Sequence, residues 1–475
     1  MNDLLVMKFG GTSVGSAERI RVAAALSAEQ RKQRPVVVVA SAMSKITDLL
    51  LETLRRAVTG DRPGVDSDIQ TLRQRHIDTC RELLPPERHE RVLARMDCII
   101  AEFERIAGGI CMLGEAPPRS MDEAVSTGEK LSVLLLAECL EAEGTPSVAV
   151  DAGGIVVTDA VFGNATPIME ATRQRAIERL VPLLEDGVLP VVTGFNGATE
   201  DGRPTTLGRG GSDFSASTLA AALDAEEVWI WTDVDGIMTA DPRIVPDCAV
   251  LDEVTYREAA ELAYNGAKVL HPRTLAPLMA KQIPVWSKNS FAPEKPGTKI
   301  VPSIADTTGA RAVTSTAKVA MISIEPASTA INATQVMARA LDGLGRAAIE
   351  VLALSSSSYT QSLCFLVRTA ELPTALECLN NALALELAHG YLKPVQVDEN
   401  VGLMAVVGEG MHGTPGLAGR IFTAISRERV NIMAIAQGSS ELTIAIVVRK
   451  DGLEKAVRAV HEEAHLGDDE WRAGA

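Results

Sequence analysis

The run Val36-Val37-Val38-Val39-Ala40 constrains this chain more than any other five residues. A strand with one wet face alternates apolar and polar side chains. An unbroken β-branched run is apolar on both faces and belongs inside a parallel sheet covered by helices. The residues before it agree. An apolar strand ends at Lys8-Phe9, a turn of glycines and hydroxyls follows from Gly10 to Ser16, and a helical pattern runs from Ala17 to about Gln33. With a further helix from Thr47, residues 1–60 read β-α-β-α. The expected fold class is α/β, a parallel-core sheet sandwiched by helices.

The first turn, Lys8-Phe9-Gly10-Gly11-Thr12-Ser13-Val14-Gly15-Ser16, has the makings of an anion seat. Glycines let the backbone approach a ligand and turn N–H groups inward, the helix start adds partial positive charge, and Lys8 adds a full one. Phosphoryl oxygens are the ligand this suits. It is no Walker A loop, since the lysine precedes the glycines. Gly11-Thr12-Ser13-Val14-Gly15 does spell G-x-S-x-G, the nucleophile elbow of hydrolases. That reading leaves Lys8 unexplained and offers only His271 as a downstream histidine.

At 475 residues the chain has room for two to four domains. Residues 61–121 are helical and rich in Arg and Glu, which suggests a helical insertion. Strand signals return at 147–151, 188–193 and 227–232 with helices between them, then a helix at 255–264 and a strand at 283–287. A formal net charge of −16 argues against nucleic acid and anionic membranes as partners, so any phosphate site must be local. Seven scattered cysteines without C-x-x-C spacing fit a reducing compartment. Without a cleavable leader or an apolar run of spanning length, a cytoplasmic location is expected.

Beyond about residue 300 the chain repeats itself. Strand 319–324, a helix near 334–344 and strands at 349–354 and 362–367 resemble strand 401–407, a helix near 415–425 and strands at 430–435 and 442–448. Arg339 falls opposite Arg420, and Arg368 opposite Arg449. Two βαββαβ modules are expected, each an antiparallel sheet covered by helices on one face.

Four further segments carry chemistry. Thr205-Thr206-Leu207-Gly208-Arg209-Gly210-Gly211-Ser212-Asp213 enters a helix of small residues, giving an anion nest with a guanidinium suited to a carboxylate. The plain alternative is a capped helix with Asp213 at its start. In Ser126-Thr127-Gly128-Glu129, Glu129 could hold an ammonium group or simply complement a helix dipole. Trp231-Thr232-Asp233-Val234-Asp235-Gly236-Ile237-Met238-Thr239-Ala240-Asp241-Pro242-Arg243 is a strand end with acidic turns, suited to a nucleotide and its metal. Asn265-Gly266-Ala267-Lys268-Val269-Leu270-His271-Pro272 offers Lys268 as a second cation for phosphates.

Taken together these motifs resemble the aspartate kinases of the amino acid kinase superfamily, and the likeness covers essentially the whole chain. It implies a catalytic domain over 1–300 and two ferredoxin-like ACT modules at 317–394 and 395–475, the second with strand 310–316 contributed to it. The implied reaction moves the γ-phosphoryl of ATP, with Mg²⁺, to the β-carboxylate of L-aspartate. This is the first step toward lysine, threonine and methionine. Lys8 and Asp213 would act at the transfer, with Gly10, Gly11 and Lys268 on the phosphates. Arg209 would hold the α-carboxylate and Glu129 the ammonium, with Ser41, Thr47, Ser212 and Asp213 completing the substrate end. Thr232, Asp233, Met238, Arg243 and Lys268 map onto the nucleotide site; many relatives have tyrosine where this chain has Met238. No protein side chain is assigned to a metal. ACT modules imply a homodimer or larger assembly. A kinase for glutamate or aminoadipate, and a catalytically silent amino-acid sensor, are the alternatives.

The repeat holds two decoys. Gly408-Glu409-Gly410-Met411-His412-Gly413 spells G-x-G-x-x-G but reads better as an ACT loop offering amides to an effector's carboxylate. His461-Glu462-Glu463-Ala464-His465 matches H-E-x-x-H without a third ligand and reads as a solvated helix face. The corresponding loop of the first module, residues 325–334, has no glycine, and Pro326 lacks an N–H. Ser328, Thr329 and Asn332, with Gln437 in the second module, are the candidate effector donors. Feedback inhibition by lysine or threonine is expected to be weak or absent.

Overall fold

The computed structural model describes residues 3–267, 270–305, 308–327, 332–357 and 362–466. They form two compact units. One comprises residues 1–237, 252–256 and 270–303, the other 238–251, 257–269 and 304–475.

The first unit is built on an eight-stranded sheet in the order Ser147–Val150, Leu189–Thr193, Val36–Ala40, Leu5–Phe9, Glu227–Thr232, Val285–Asn289, Thr298–Val301, Glu253–Thr255. The first six strands run parallel. Thr298–Val301 turns antiparallel to Val285–Asn289, and Glu253–Thr255 forms the edge parallel to it. All five residues of the valine run are buried, in register with Leu5–Phe9, which are buried as well. Each such Val stabilises the fold by about 1.5–3 kcal/mol relative to an exposed one. The helical insertion consists of Arg62–Leu83, Pro86–Leu113 and Pro118–Val125. The Asp61 side chain caps the first of these through Gly64 N, and Gly114, at φ 70°, ends the second. Glu138 on helix Thr127–Ala142 ties the insertion down by accepting from Arg88, Arg91 and Arg95 at 3.2, 2.5 and 3.0 Å. A three-stranded sheet, Val157–Thr158 with Asn196–Thr199 and Pro204–Thr206, leads into the Arg209 loop.

The second unit holds the two modules of the repeat. One sheet runs Ala353–Ser356, Leu363–Arg368, Val319–Ile324, Gln396–Asp398; the other Ala312–Thr316, Val401–Val407, Thr443–Arg449, Ile432–Gln437. The repeated arginines do repeated work. Arg339 joins its helix to Ala382 O and Glu386, while Arg420 joins its helix to the carbonyl and carboxylate of Glu463. Gln396–Asp398 pairs with Met321–Ser323, so the first sheet reaches past residue 394. The second module departs from βαββαβ order. Its fourth strand is Ala312–Thr316, which precedes both modules in the chain and pairs with Leu403–Val407. The two sheets share an apolar layer containing Val319 and Leu366 from one and Val401, Leu403 and Val447 from the other.

Two sequence readings are corrected in this unit. His461 is no solvated face: it is 5% exposed, and its Nε2 lies 3.0 Å from Thr239 Oγ1. No group of three metal-ligating side chains occurs among the described residues. The glycine loop of the second module does not present a bare amide nest. Glu409 N donates to Glu258 Oε1 at 2.9 Å and Gly413 N to Glu441 Oε2 at 2.8 Å. Gly410 carries no side chain because residues 308–309 cross directly against it. Among the described residues, no helix is long and apolar enough to cross a membrane.

Candidate active site

The sheet of the first unit ends in a cavity of about 550 Å³ lined by Lys8, Gly11, Ser41, Thr47, Glu129, Arg209, Ser212, Asp213 and Asp233. Parallel strands place their C-terminal ends together, and in open α/β sheets ligands bind there. Lys8 is the penultimate residue of its strand and 8% exposed. Its Nζ lies 2.5 Å from Oδ1 of Asp213, which sits in the first turn of helix Gly211–Ala222. A carboxylate is well placed at a helix N-terminus, so Asp213 serves the helix and the lysine together.

Gly208 and Gly210 flank Arg209 at φ 74° and 70°, a left-handed conformation that favours glycine. The two turns carry the guanidinium of an exposed Arg209 over the cavity. Glu129, one turn into helix Thr127–Ala142, is 3% exposed. Its Oε1 accepts from Ala42 N at 3.2 Å, and among the described residues its Oε2 has no hydrogen-bond partner. Burial pushes its carboxyl up to about 8, against the backbone hydrogen bonds that lower it. Buried acceptors in folded proteins nearly always have a donor, so this oxygen is open to one brought by a ligand. Gly128 allows the close approach: a Cβ there would stand 2.8 Å from Ala42 Cβ.

The glycine turn is more specialised than its sequence suggests. Gly10 N donates to Trp231 O at 3.2 Å, which removes that amide from a phosphate seat. Gly11 serves by shape, since a Cβ there would lie 2.9 Å from Ala42 O. Ser13 is buried, with its Oγ 2.8 Å from Ser290 Oγ, so it cannot be a hydrolase nucleophile at an open elbow.

Four positions were not singled out from the sequence. Lys45, Asp48 and Phe195 line the cavity, and Lys45 and Phe195 hold non-glycine residues at φ 67° and 69°. Left-handed non-glycine residues cluster at functional sites, but nothing in a sequence marks them. Arg273 stiffens the Arg209 loop from outside. It donates to Asn164 Oδ1, to Ala165 O at 2.7 Å and to Leu207 O at 3.4 Å, with its guanidinium 4.9 Å from the centre of the Phe214 ring.

Residues 3–289 match the amino acid kinase family, and residues 404–464 match an ACT domain family. Over 466 residues the chain is 32% identical to lysine-sensitive aspartokinase 3 of Escherichia coli, covering 97% of this chain and 99% of that one. The chain belongs to the aspartokinases. It is also 33% identical over 468 residues to a chloroplastic bifunctional aspartokinase/homoserine dehydrogenase 1 of Arabidopsis thaliana, covering 97% of this chain and 51% of that protein. The chain thus spans about half the length of its bifunctional plant relatives. Among solved structures it superposes on E. coli aspartokinase III in complex with aspartate and ADP (R-state) with a TM-score of 0.83 at 29% identity. That match covers 98% of this chain and 100% of that one.

Within this aspartokinase the nucleotide residues named from sequence fall into three groups. Asp233 lines the cavity, and Thr232 Oγ1 donates to its Oδ1 at 3.3 Å. Met238 and Arg243 belong to the second unit, where Met238 bridges to Val250 and Arg243 grips Asp241 through Nε and Nη2. Lys268, like Ser328 and Thr329, lies outside the described residues. Asn332 uses its amide oxygen to cap helix Ala333–Arg346, accepting from Thr334 N and Gln335 N at 3.0 and 3.3 Å. Gln437 ends strand Ile432–Gln437 and is exposed.

Proposed function

We propose that this chain is an ATP-dependent aspartate kinase, converting L-aspartate and ATP to 4-phospho-L-aspartate and ADP. The carrying observation is the buried oxygen of Glu129, without a hydrogen-bond partner among the described residues, in the same cavity as Arg209 and Lys8. An amino acid presents an ammonium and an α-carboxylate a fixed distance apart, and these two side chains complement that pair. The E. coli relative crystallised with aspartate and ADP supports the same choice of ligands.

The acceptor carboxylate is ionised at neutral pH, so no general base is required. Catalysis rests on holding the reactants in line and on neutralising charge at the transferred phosphoryl group. Glu129 and Arg209 fix the amino acid at one end, with Ser41, Thr47 and Ser212 around it. Lys8 meets the phosphoryl oxygens, and Asp213 keeps its ammonium at the strand tip. Asp233 would help hold a Mg²⁺ brought with the nucleotide, which would supply positive charge against the phosphates. The donor set fits such an ion, because Mg²⁺ takes one or two carboxylates besides phosphates and water, and Asp233 offers one carboxylate on the cavity wall. The catalytic domain reaches to about residue 300, and the two modules behind it serve chiefly assembly into a homodimer or larger species.

Trapping the acyl phosphate as a hydroxamate tests the reading. Aspartate with ATP should give product far faster than glutamate or aminoadipate. Preference for either of those would reassign the substrate, and no product with any acidic amino acid would leave a sensor.

A further inference from the structure

Asp122 is 4% exposed on helix Pro118–Val125, whose chain continues through Ser126 to Glu129. Its Oδ2 accepts from Gly163 N at 2.8 Å and from Thr206 N at 2.9 Å, while Oδ1 accepts from Thr206 Oγ1 at 2.8 Å. Three donors on one buried carboxylate form a charge-assisted network, stronger than neutral hydrogen bonds. All three come from chain segments that meet again at the Arg209 loop. Two residues beyond Thr206, a Cβ on Gly208 would stand 2.5 Å from Asn164 Oδ1 and 3.1 Å from Gly163 O. Asp122 therefore pins both strands of backbone on which the left-handed Gly208 turn rests. An acidic side chain late in an eight-residue helix gains nothing from the helix dipole, so helix formation does not account for it.

We propose that Asp122 is a positioning residue of the amino-acid seat, fixing the Arg209 loop relative to the Glu129 helix and so setting the span between the two charges that clasp the substrate. This rests on reading the cavity as an amino acid kinase site. Asp122 touches no reacting atom and acts through Thr206 and Gly163. Asparagine at this position keeps one oxygen for the amides of Gly163 and Thr206 and turns the Thr206 hydroxyl from donor to acceptor, but it removes the charge, so bonds to an ionised acceptor weaken to ordinary ones. The seat for ATP does not hang on this network, so the two substrates separate the effect.

The full-length chain with Asp122→Asn should show a KM for aspartate raised about tenfold, with kcat and the KM for ATP within about twofold of wild type. Thr206→Val should move the aspartate KM in the same direction, Thr206→Ser should restore it, and Asp122→Asn/Thr206→Val should be no worse than Asp122→Asn alone. Hydrogen exchange of the free protein adds a readout that needs no substrate. Protection should fall at Gly163 and Thr206 in Asp122→Asn while strand Leu5–Phe9 keeps its own. If wild type phosphorylates no aspartate, the functional reading fails and the exchange result still decides the role of Asp122. Unchanged exchange, or both KM values and kcat worsening together in step with Tm, would overturn the proposal. Should Asp122→Asn not fold, equal aspartate KM values for Thr206→Val and Thr206→Ser would overturn it as well.

Discussion

Lys8 Nζ and Asp213 Oδ1 lie 2.5 Å apart although 205 positions of chain separate them, joining the tip of the central strand to the first turn of helix Gly211–Ala222. In the proposed reaction this pair sets where a cation would meet the transferred phosphoryl group. Lys8→Ala should reduce kcat by about 10²-fold or more, because preorganised charge at a transition state is worth several kcal/mol. It should also leave Asp213 as an unpaired carboxylate, for which Lys8→Ala/Asp213→Asn should partly compensate in Tm without restoring rate. Near-normal kcat in Lys8→Ala would remove the residue from the mechanism.

Arg209 differs from Lys8 in needing a shape as well as a charge. Arg209→Lys keeps the cation and loses the planar fork that binds a carboxylate at two points. The KM for aspartate should rise about tenfold or more and that for ATP much less. Equal changes in the two would place Arg209 at the other ligand.

On the proposed reading, Glu129 should couple substrate binding to protons. Its folded carboxyl titrates near 8 because burial disfavours the charge, whereas the bound ammonium of a substrate favours it. At pH 7 the protein alone therefore holds a proton that aspartate expels, about one per site, and affinity should rise roughly tenfold between pH 6.5 and 8. Calorimetry in buffers of different ionisation enthalpy measures that release. The sign for stability is opposite. With its folded pKa above the unfolded value of 4.5, Glu129 stabilises the fold at low pH and loses that contribution as pH rises toward 8. Glu129→Gln should thus melt higher than wild type at pH 8 while losing the pH slope in affinity. A slope that persists in the variant would point to another group.

Strand 227–232 and strands 319–324 and 401–407 were legible to the residue, since unbroken or alternating apolar runs between turn signals define strands without tertiary help. Lys8, Glu129, Arg209, Asp213 and Asp233, which the structure brings to one cavity, were each legible through motifs, whereas Arg243 lies in the other unit. Other features depend on partners far away in sequence. Asp122 is one acidic residue among many until the fold brings Thr206 to it. The placement of Gln396–Asp398 depends on a sheet edge that no local pattern reveals, and that of Ala312–Thr316 follows from family resemblance and not from local pattern. His461 sits on a polar helix stretch, and its contact with Thr239, more than two hundred positions away, is invisible to local pattern.

Lys45 carries a conflict that a substitution can separate. It holds φ 67° at the start of helix Ile46–Val58 without capping it by its side chain, and it lines the cavity. Glycine relieves the left-handed strain, so Lys45→Gly should gain about 1 kcal/mol, a rise of roughly 2–4 °C in Tm. The lost cation should weaken an anionic substrate, seen as a higher KM for aspartate or ATP. A higher Tm with unchanged kinetics would reduce Lys45 to a strained turn residue.

Regulation is where the backbone makes its most specific demand. An effector's carboxylate needs amides that are not already engaged. In the second module Glu409 N and Gly413 N donate to Glu258 and Glu441 of the same chain. In the first, Ala327 N donates to Tyr391 O at 2.8 Å, and Asn332 spends its amide oxygen on its own helix. Displacing a charge-assisted partner costs an incoming amino acid about 1.5–3 kcal/mol per hydrogen bond, roughly ten- to hundredfold in affinity. Lysine and threonine, alone or together, should therefore leave the rate nearly unchanged up to about 1 mM, in contrast to the relative named as lysine-sensitive. Thermal shift and the kinase assay, run side by side, measure binding and inhibition separately. Half-inhibition by either amino acid below about 1 mM would overturn this expectation and direct attention to donors other than these amides.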